Sequence, residues 1–282
     1  MKPFLRWVGG KTSLAPLLAN LAQAAENRGT YWEPFAGACS VFFRLLPERS
    51  VLADLNADLI WCYKAVRERP ELVSRYLREL ASQTTEKDYY AVRAKYNTAS
   101  CTFSKAAMFV YLNKTCFNGI WRVNRKGEFN VPYGRKDRPA LPSREELEDA
   151  SRALRSTEIQ EADFREVVAK ASPGDFVYFD PPYPPLNGTS YFTHYTAGRF
   201  AEGEHKDVAK AARSLAEMGC DVMVTNADLP EIRKLYRGLD LYAHAVRRSV
   251  HSGGKRHRAS ELIALSFSIP REILAAADLE KV

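Results

Sequence analysis

Four consecutive residues, Asp180-Pro181-Pro182-Tyr183, place a carboxylate, fixed backbone carbonyls and an aromatic ring side by side. An exocyclic amine on a heteroaromatic ring is a poor nucleophile, because its lone pair is conjugated into the ring. A carboxylate and a peptide oxygen that accept its two hydrogens draw the nitrogen toward tetrahedral geometry and localise that pair. Asp180 and the carbonyl of Pro181 supply both acceptors, since proline fixes the backbone and offers no competing amide hydrogen. Tyr183 offers a face on which a base can stack. Positive charge developing on the nitrogen would then lie beside a preorganised anion and dipole. The plain alternative is a strand ended by a proline turn, which becomes improbable when aspartate, both prolines and tyrosine occur together.

Two further segments carry binding chemistry. Glu33-Pro34-Phe35-Ala36-Gly37-Ala38-Cys39 follows an apolar strand and precedes a helical pattern from Ser40. A glycine at such a turn lets the backbone approach a nucleoside, and Asp54, ending the next strand, is placed to accept hydrogen bonds from ribose hydroxyls. With Gly37 but no full G-x-G-x-x-G pattern, an ordinary strand-to-helix turn is about as good a reading. Near the N-terminus, Phe4-Leu5-Arg6-Trp7-Val8-Gly9-Gly10-Lys11 joins aromatics, two glycines and a lysine, a set able to hold a flat ring and a carboxylate. Gly10-Lys11-Thr12 imitates the end of a P-loop, yet Leu5 stands where that loop needs its first glycine, so triphosphate binding is rejected. The five cysteines are scattered without metal or redox spacing, and the five histidines show no ligand spacing; free thiols and no metal are expected.

The elements that must position these residues read as alternating short strands and amphipathic helices at both ends of the chain, the pattern of a mostly parallel sheet covered on both faces. Strands are expected over residues 31–35, 51–54, 157–161, 175–180, 221–226 and 239–247. Phe176-Val177-Tyr178-Phe179 is continuously apolar, as suits a central strand, and puts Asp180 at its carboxyl end, the rim where ligands gather in open α/β sheets. From about 58 to 114 the spacing turns helical, with Leu72, Tyr76 and Leu80 on one face and Ser104 as a candidate N-cap for the stretch holding Ala106 and Val110. Residues 115–143 lose periodicity and hold Arg122, Arg125, Lys126, Arg135, Lys136 and Arg138. A second basic cluster, Arg247, Arg248, Lys255, Arg256 and Arg258, surrounds two glycines and suits a phosphate backbone. The organisation expected is a catalytic domain in two parts, 1–56 and 145–270, a helical insertion over 57–144, and a tail over 271–282. With 41 Lys and Arg against 34 Asp and Glu, the net charge is +7, which favours a polyanionic partner. The absence of an apolar leader or spanning run makes a cytoplasmic protein the expectation.

Taken in order, these motifs resemble the Dam-type DNA adenine N6-methyltransferases of the D12 class, alpha group, in which the cofactor motif precedes the recognition region and Asp-Pro-Pro-Tyr follows it. The similarity extends to about Ser266. It implies a Rossmann-like α/β fold with an inserted helical DNA-recognition domain, S-adenosylmethionine as cofactor and duplex DNA as partner. By resemblance Trp7, Lys11, Asp54 and Asp180 contact the cofactor, with Gly9, Glu33 and Gly37 in the same segments and Phe35, Asp163 and Phe164 completing the adenosine pocket. Cys39 departs from the family, which usually has glycine there. Asp180, Pro181 and Tyr183 match the positions that hold the target adenine.

Residues 113–124 and 127–135 resemble the Dam recognition hairpin. Phe117 could insert where a base has left the stack, Asn118 could pair with the orphaned partner base, and Arg122 could form a bidentate contact with guanine. Ile120 and Pro132 could touch thymine methyls, while Asn124, Asn130, Arg135, Arg247 and Lys255 complete the expected DNA contacts, with Arg125 more a phosphate clamp. Arg6 stands where relatives often have a base-contacting lysine. The expectation is a monomer that flips an adenine, in GATC by resemblance, and transfers the methyl by in-line displacement; no cysteine follows a proline, as the cytosine-C5 mechanism would need. The same acceptor pair would serve cytosine N4 or an RNA adenine, and a silent DNA-binding protein is the rival from another class.

Overall fold

A computed structural model describes residues 1–26, 29–82, 85–135, 139–184, 200, 202–246 and 259–282. The elements run α1 (Ala15–Ala24), β1 (Tyr31–Glu33), α2 (Ser40–Leu45) and β2 (Ser50–Asp54), then α3 (Ala57–Glu68), α4 (Pro70–Ala81), α5 (Glu86–Thr98), α6 (Phe103–Thr115) and α7 (Arg144–Leu154). After these come β3 (Thr157–Glu161), α8 (Phe164–Val168), β4 (Phe176–Phe179), α9 (Glu202–Glu217), β5 (Asp221–Ala227), α10 (Pro230–Leu235), β6 (Asp240–Val246), β7 (Ala259–Leu265), α11 (Arg271–Ala276) and β8 (Leu279–Lys281).

The strands form one sheet in the order β3-β2-β1-β4-β5-β7-β6-β8, parallel from β3 to β5 and antiparallel beyond it. This is the Rossmann-like α/β architecture expected from the sequence. Successive strand residues point to opposite faces. Tyr31, Phe176 and Tyr178 therefore enter one core, and Trp32, Val177 and Phe179 the other. The first core is continuous with α1 to α7 and includes Phe42, Tyr63, Phe109 and Trp121. The second is closed by α8, α9 and α10 through Phe164, Val208, Ala212 and Ile232.

Local chemistry fixes the helix starts. Asn56 caps α3 by accepting from the Leu59 amide at 3.0 Å, and Ser143 with Glu146 forms a capping box on α7. The cap of α6 is Thr102, which accepts from Lys105, in place of the expected Ser104. On α4 the fully buried pair is Val73 and Leu77, with Tyr76 and Leu80 packed at its side.

The C-terminal strands depart most from expectation. Residues 259–265 pair with both β5 and β6 as β7, and the segment expected as a tail supplies α11 and the edge strand β8, which pairs with β6. Alternation in Glu261-Leu262-Ile263-Ala264-Leu265 is hidden because both faces of β7 are covered.

Candidate active site and nucleic-acid interface

The chain proceeds outward from β1 to β2 and β3, then crosses back to place β4 on the other side of β1. The crevice at such a reversal, beyond the carboxyl ends of the strands, is where ligands bind in open α/β sheets. Phe35 and Gly37 follow β1, Asp54 ends β2, and Asp180 follows β4. Because β7 runs antiparallel to β5, its opening residues reach the same rim, and Glu261 lies opposite Ala227.

Asp180 is fixed from two sides. Lys11 Nζ lies 2.7 Å from Oδ1 and 3.0 Å from Oδ2, and the Thr225 hydroxyl donates to Oδ1 at 2.8 Å while sharing a hydrogen bond with Tyr178. Lys11 also donates to the Gly9 carbonyl at 2.7 Å and lies 3.5 Å from Glu261. Tyr183 donates its hydroxyl to Glu261, and the Lys11 ammonium sits 4.5 Å from the centre of the Tyr183 ring. Glu33 is buried beneath this group; it accepts from Tyr31 at 2.8 Å and from the Phe42 amide at 3.3 Å. Burial pushes its carboxyl up to about 8, with repulsion from Asp180 adding to the shift. Burial likewise raises Glu261 to about 7, against the attraction of Lys11.

The turn after β1 is built for close approach. Gly37 has φ +46°, and a Cβ there would lie 2.7 Å from Trp7 Cδ1. Its amide donates to Asp54 Oδ2 at 3.1 Å, its carbonyl accepts from Tyr63, and Asp54 Oδ1 accepts from the Asn56 amide at 2.9 Å. Burial raises the Asp54 carboxyl to about 6 despite these hydrogen bonds. Cys39, buried, adopts φ +52°, the left-handed region that favours glycine. Phe35 packs against Phe164, Phe179 and Phe200 with ring centres 5.3 to 6.4 Å apart.

The segment after α6 is a long hairpin. Bridges join Cys116 to Tyr133 and Val123 to Phe129, and the Phe117 amide donates to the Pro132 carbonyl. Its apolar side, Trp121, Phe129 and Val131, is buried, whereas Phe117, Asn118, Arg122, Pro132 and Arg135 are exposed. From α5, Asn97 accepts from the Phe129 amide and donates to its carbonyl, while Tyr89 and Arg93 donate to the Val131 carbonyl. Arg6 is held similarly: its amide and carbonyl pair with the Asn113 side chain at 2.8 and 2.7 Å, and its stem packs on Gly119. Trp7 stacks on Trp121 with ring centres 6.2 Å apart, so the N-terminal segment and the hairpin share one aromatic cluster.

Residues 7–250 match the family of D12 class N6 adenine-specific DNA methyltransferases. The chain belongs to that family. It is 36% identical to the type II methyltransferase M.MjaIII of Methanocaldococcus jannaschii, over 95% of this chain and 99% of that protein. It is 33% identical to the type II methyltransferase M1.LlaDCHI of Lactococcus lactis subsp. cremoris, covering 95% and 96%. Against the DNA adenine methylase of Escherichia coli the identity is 36%, over 94% of this chain and 95% of that one.

The methyltransferase is thus adenine-specific and acts on DNA, and it requires a methyl donor. The rim suits a cationic group: Asp180 and Glu261 face the ammonium of Lys11 and Asp54 adds a further carboxylate at the end of β2, whereas Glu33, raised to about 8, is largely protonated near neutral pH. Of the residues expected at the cofactor and catalytic sites, Asp180 and Tyr183 each contact Lys11, and Gly9 and Trp7 adjoin Lys11 through the N-terminal turn. Pro181 is buried behind Asp180. Asp163 caps α8 and is paired with Arg165, so its carboxylate is already engaged. In the hairpin, Asn124 closes the turn by accepting from Lys126 and Glu128 and donating to the Glu128 side chain. Arg122 donates its Nε to Asn130 at 2.8 Å, and Ile120 is half-buried. Arg247 and Lys255 lie outside the described residues.

Sequence reasoning missed Thr225 and Glu261. Both sit in strands that are otherwise largely apolar, and a polar residue inside a buried strand was the signal available for each.

Proposed function

We propose that this methyltransferase extrudes the target adenine from duplex DNA and holds its amino group between the Asp180 carboxylate and the Pro181 carbonyl. The observation that carries the reading is Asp180 itself, at the carboxyl end of β4 beside the chain reversal, immobilised by Lys11 and Thr225 and adjoined by Tyr183. A carboxylate has about four lone-pair directions. Lys11 contacts each oxygen and Thr225 contacts Oδ1, which leaves room for an amine hydrogen. Extrusion is required because the reactive nitrogen is paired within the duplex.

S-adenosylmethionine is the donor proposed, and when bound it supplies an electrophilic sulfonium methyl. Asp54 would take its ribose hydroxyls, the turn at Gly37 would admit its nucleoside closely, Phe35 and Phe164 would line the adenine pocket, and Trp7 and Lys11 would hold the amino-acid end. The excess of carboxylates over ammonium at this rim favours a cation and stabilises positive charge as it develops on the base.

Recognition is proposed for GATC, with Arg122 reading guanine, Phe117 filling the vacated stack and Asn118 facing the orphaned base. Asn130 occupies Arg122 Nε, so the two terminal nitrogens remain for the base edge. A monomer acting in the cytoplasm is the form proposed. Expression in a host lacking adenine methylation, followed by mapping of modified adenines, tests the site: methylation confined to GATC supports it, and another motif reassigns the hairpin contacts. Asp180→Ala is expected to lower transfer by at least about 100-fold; near-normal turnover in that variant would refute the assignment.

A further inference from the structure

Glu261 is 4% exposed, and an ionised carboxylate is costly to bury unless specific partners compensate it. Two of its partners belong to the active site. Tyr183 donates its hydroxyl to Oε1, and Lys11 Nζ lies 3.5 Å from the same oxygen. The phenolic oxygen lies on the rotation axis of the ring, so this hydrogen bond fixes where Tyr183 points without fixing its plane. The plane is set by what covers the ring, and the Lys11 ammonium stands 4.5 Å from its centroid. Glu261 therefore bears on both variables, direction and plane. With one face of the ring taken by Lys11, a base stacking on Tyr183 is left the other.

We propose that Glu261 is a positioning residue: by holding the Tyr183 hydroxyl and the Lys11 ammonium together, it fixes the face of the Tyr183 ring opposite Lys11 as the platform that aims the adenine amino group at Asp180. This rests on the reading of Asp180 and Tyr183 as the holders of the target base. Glu261 touches neither the base nor the donor; it acts through the ring. A misplacement of about 1 Å at a reacting centre costs up to about 100-fold in rate.

The test is a double-mutant cycle on the full chain, with Glu261→Ala and Tyr183→Ala singly and together. The readout is the single-turnover rate of methyl transfer to a duplex carrying the target site, at saturating DNA and S-adenosylmethionine. Glu261→Ala is expected to lower the rate by about tenfold or more, with a much smaller change in the Michaelis constant for DNA. With the ring absent there is nothing left to aim, so in the Tyr183→Ala background the same change should cost less than about threefold. Equal losses in both backgrounds, or an unchanged rate in Glu261→Ala alone, overturn the proposal. An unchanged rate in Tyr183→Ala would instead overturn the placement of the base. Should Glu261→Ala fail to fold, Glu261→Gln keeps the shape and one accepting oxygen but removes the charge opposite Lys11, and it enters the same cycle under the same criterion.

Discussion

Cys39 shows how one backbone angle can be read from residue type alone and still be occupied against preference. The resemblance to the family implies glycine at this position, and the φ of +52° at Cys39 lies in the region that favours glycine. A side chain in that conformation costs roughly 1 to 2 kcal/mol. Cys39→Gly removes the strain but also deletes a buried thiol, so stability in urea should stay within about 1 kcal/mol of the parent; Cys39→Val should cost about 2 kcal/mol or more. A large loss in the glycine variant would show that the thiol's packing outweighs the angle. Glu33 makes a second prediction. Its carboxyl is raised from 4.5 to about 8, so the folded protein prefers the protonated form. That contribution is full below pH 4.5 and disappears as the pH rises toward 8. Without ligands, the melting temperature should fall across this window, and Glu33→Gln should flatten the fall. A profile indifferent to the substitution would remove Glu33 as its cause. The motif residues were legible because Asp-Pro-Pro-Tyr has few structural uses. Asp163 carries a weaker signal, since a carboxylate before a helix serves equally as a cap, and it does cap α8.

Among the elements, the hairpin is the clearest case of a structure that periodicity cannot announce. Two isolated bridges and a few backbone hydrogen bonds join its arms, with no regular ladder among the described residues, and it is also held from outside, by Asn97, Tyr89 and Arg93 on its backbone and by Trp121 and Phe129 in the core. Its exposed residues could be named from their chemistry. The clamps from α5 could not, because they are sequence-distant and make no local pattern. Asn97→Ala should loosen the hairpin and weaken DNA binding while leaving donor binding near normal, as paired titrations would show; equal weakening of both would place the effect in the whole fold. Arg122→Ala is expected to relax discrimination at one guanine by about 1 to 3 kcal/mol, measured as relative transfer rates on single-base variants of the site. Unchanged preference would take Arg122 out of the reading set. The strand β7 escaped notice for the opposite reason: a short apolar run buried on both faces looks the same whether it is parallel, antiparallel or helical.

For the molecule as a whole, the net charge of +7 pointed to a polyanion without choosing one, and DNA followed only from ordered motifs and family membership. Binding should weaken steeply with salt, and Arg135→Ala should reduce the slope of log K against log salt by about one, without altering site preference. An unaltered slope would mean that Arg135 touches no phosphate. The parallel half of the sheet was legible from composition, but strand order was not, because it depends on which distant strand returns beside β1. That return has a consequence for synthesis. One flank of β1 is matched early by β2, but the other waits for β4, which leaves the ribosome only after all of α3 to α7. Until then the nascent chain presents an open, aromatic-rich ribbon, a natural client for a holding chaperone, and a message broken before the β4 codons would yield only that sticky half.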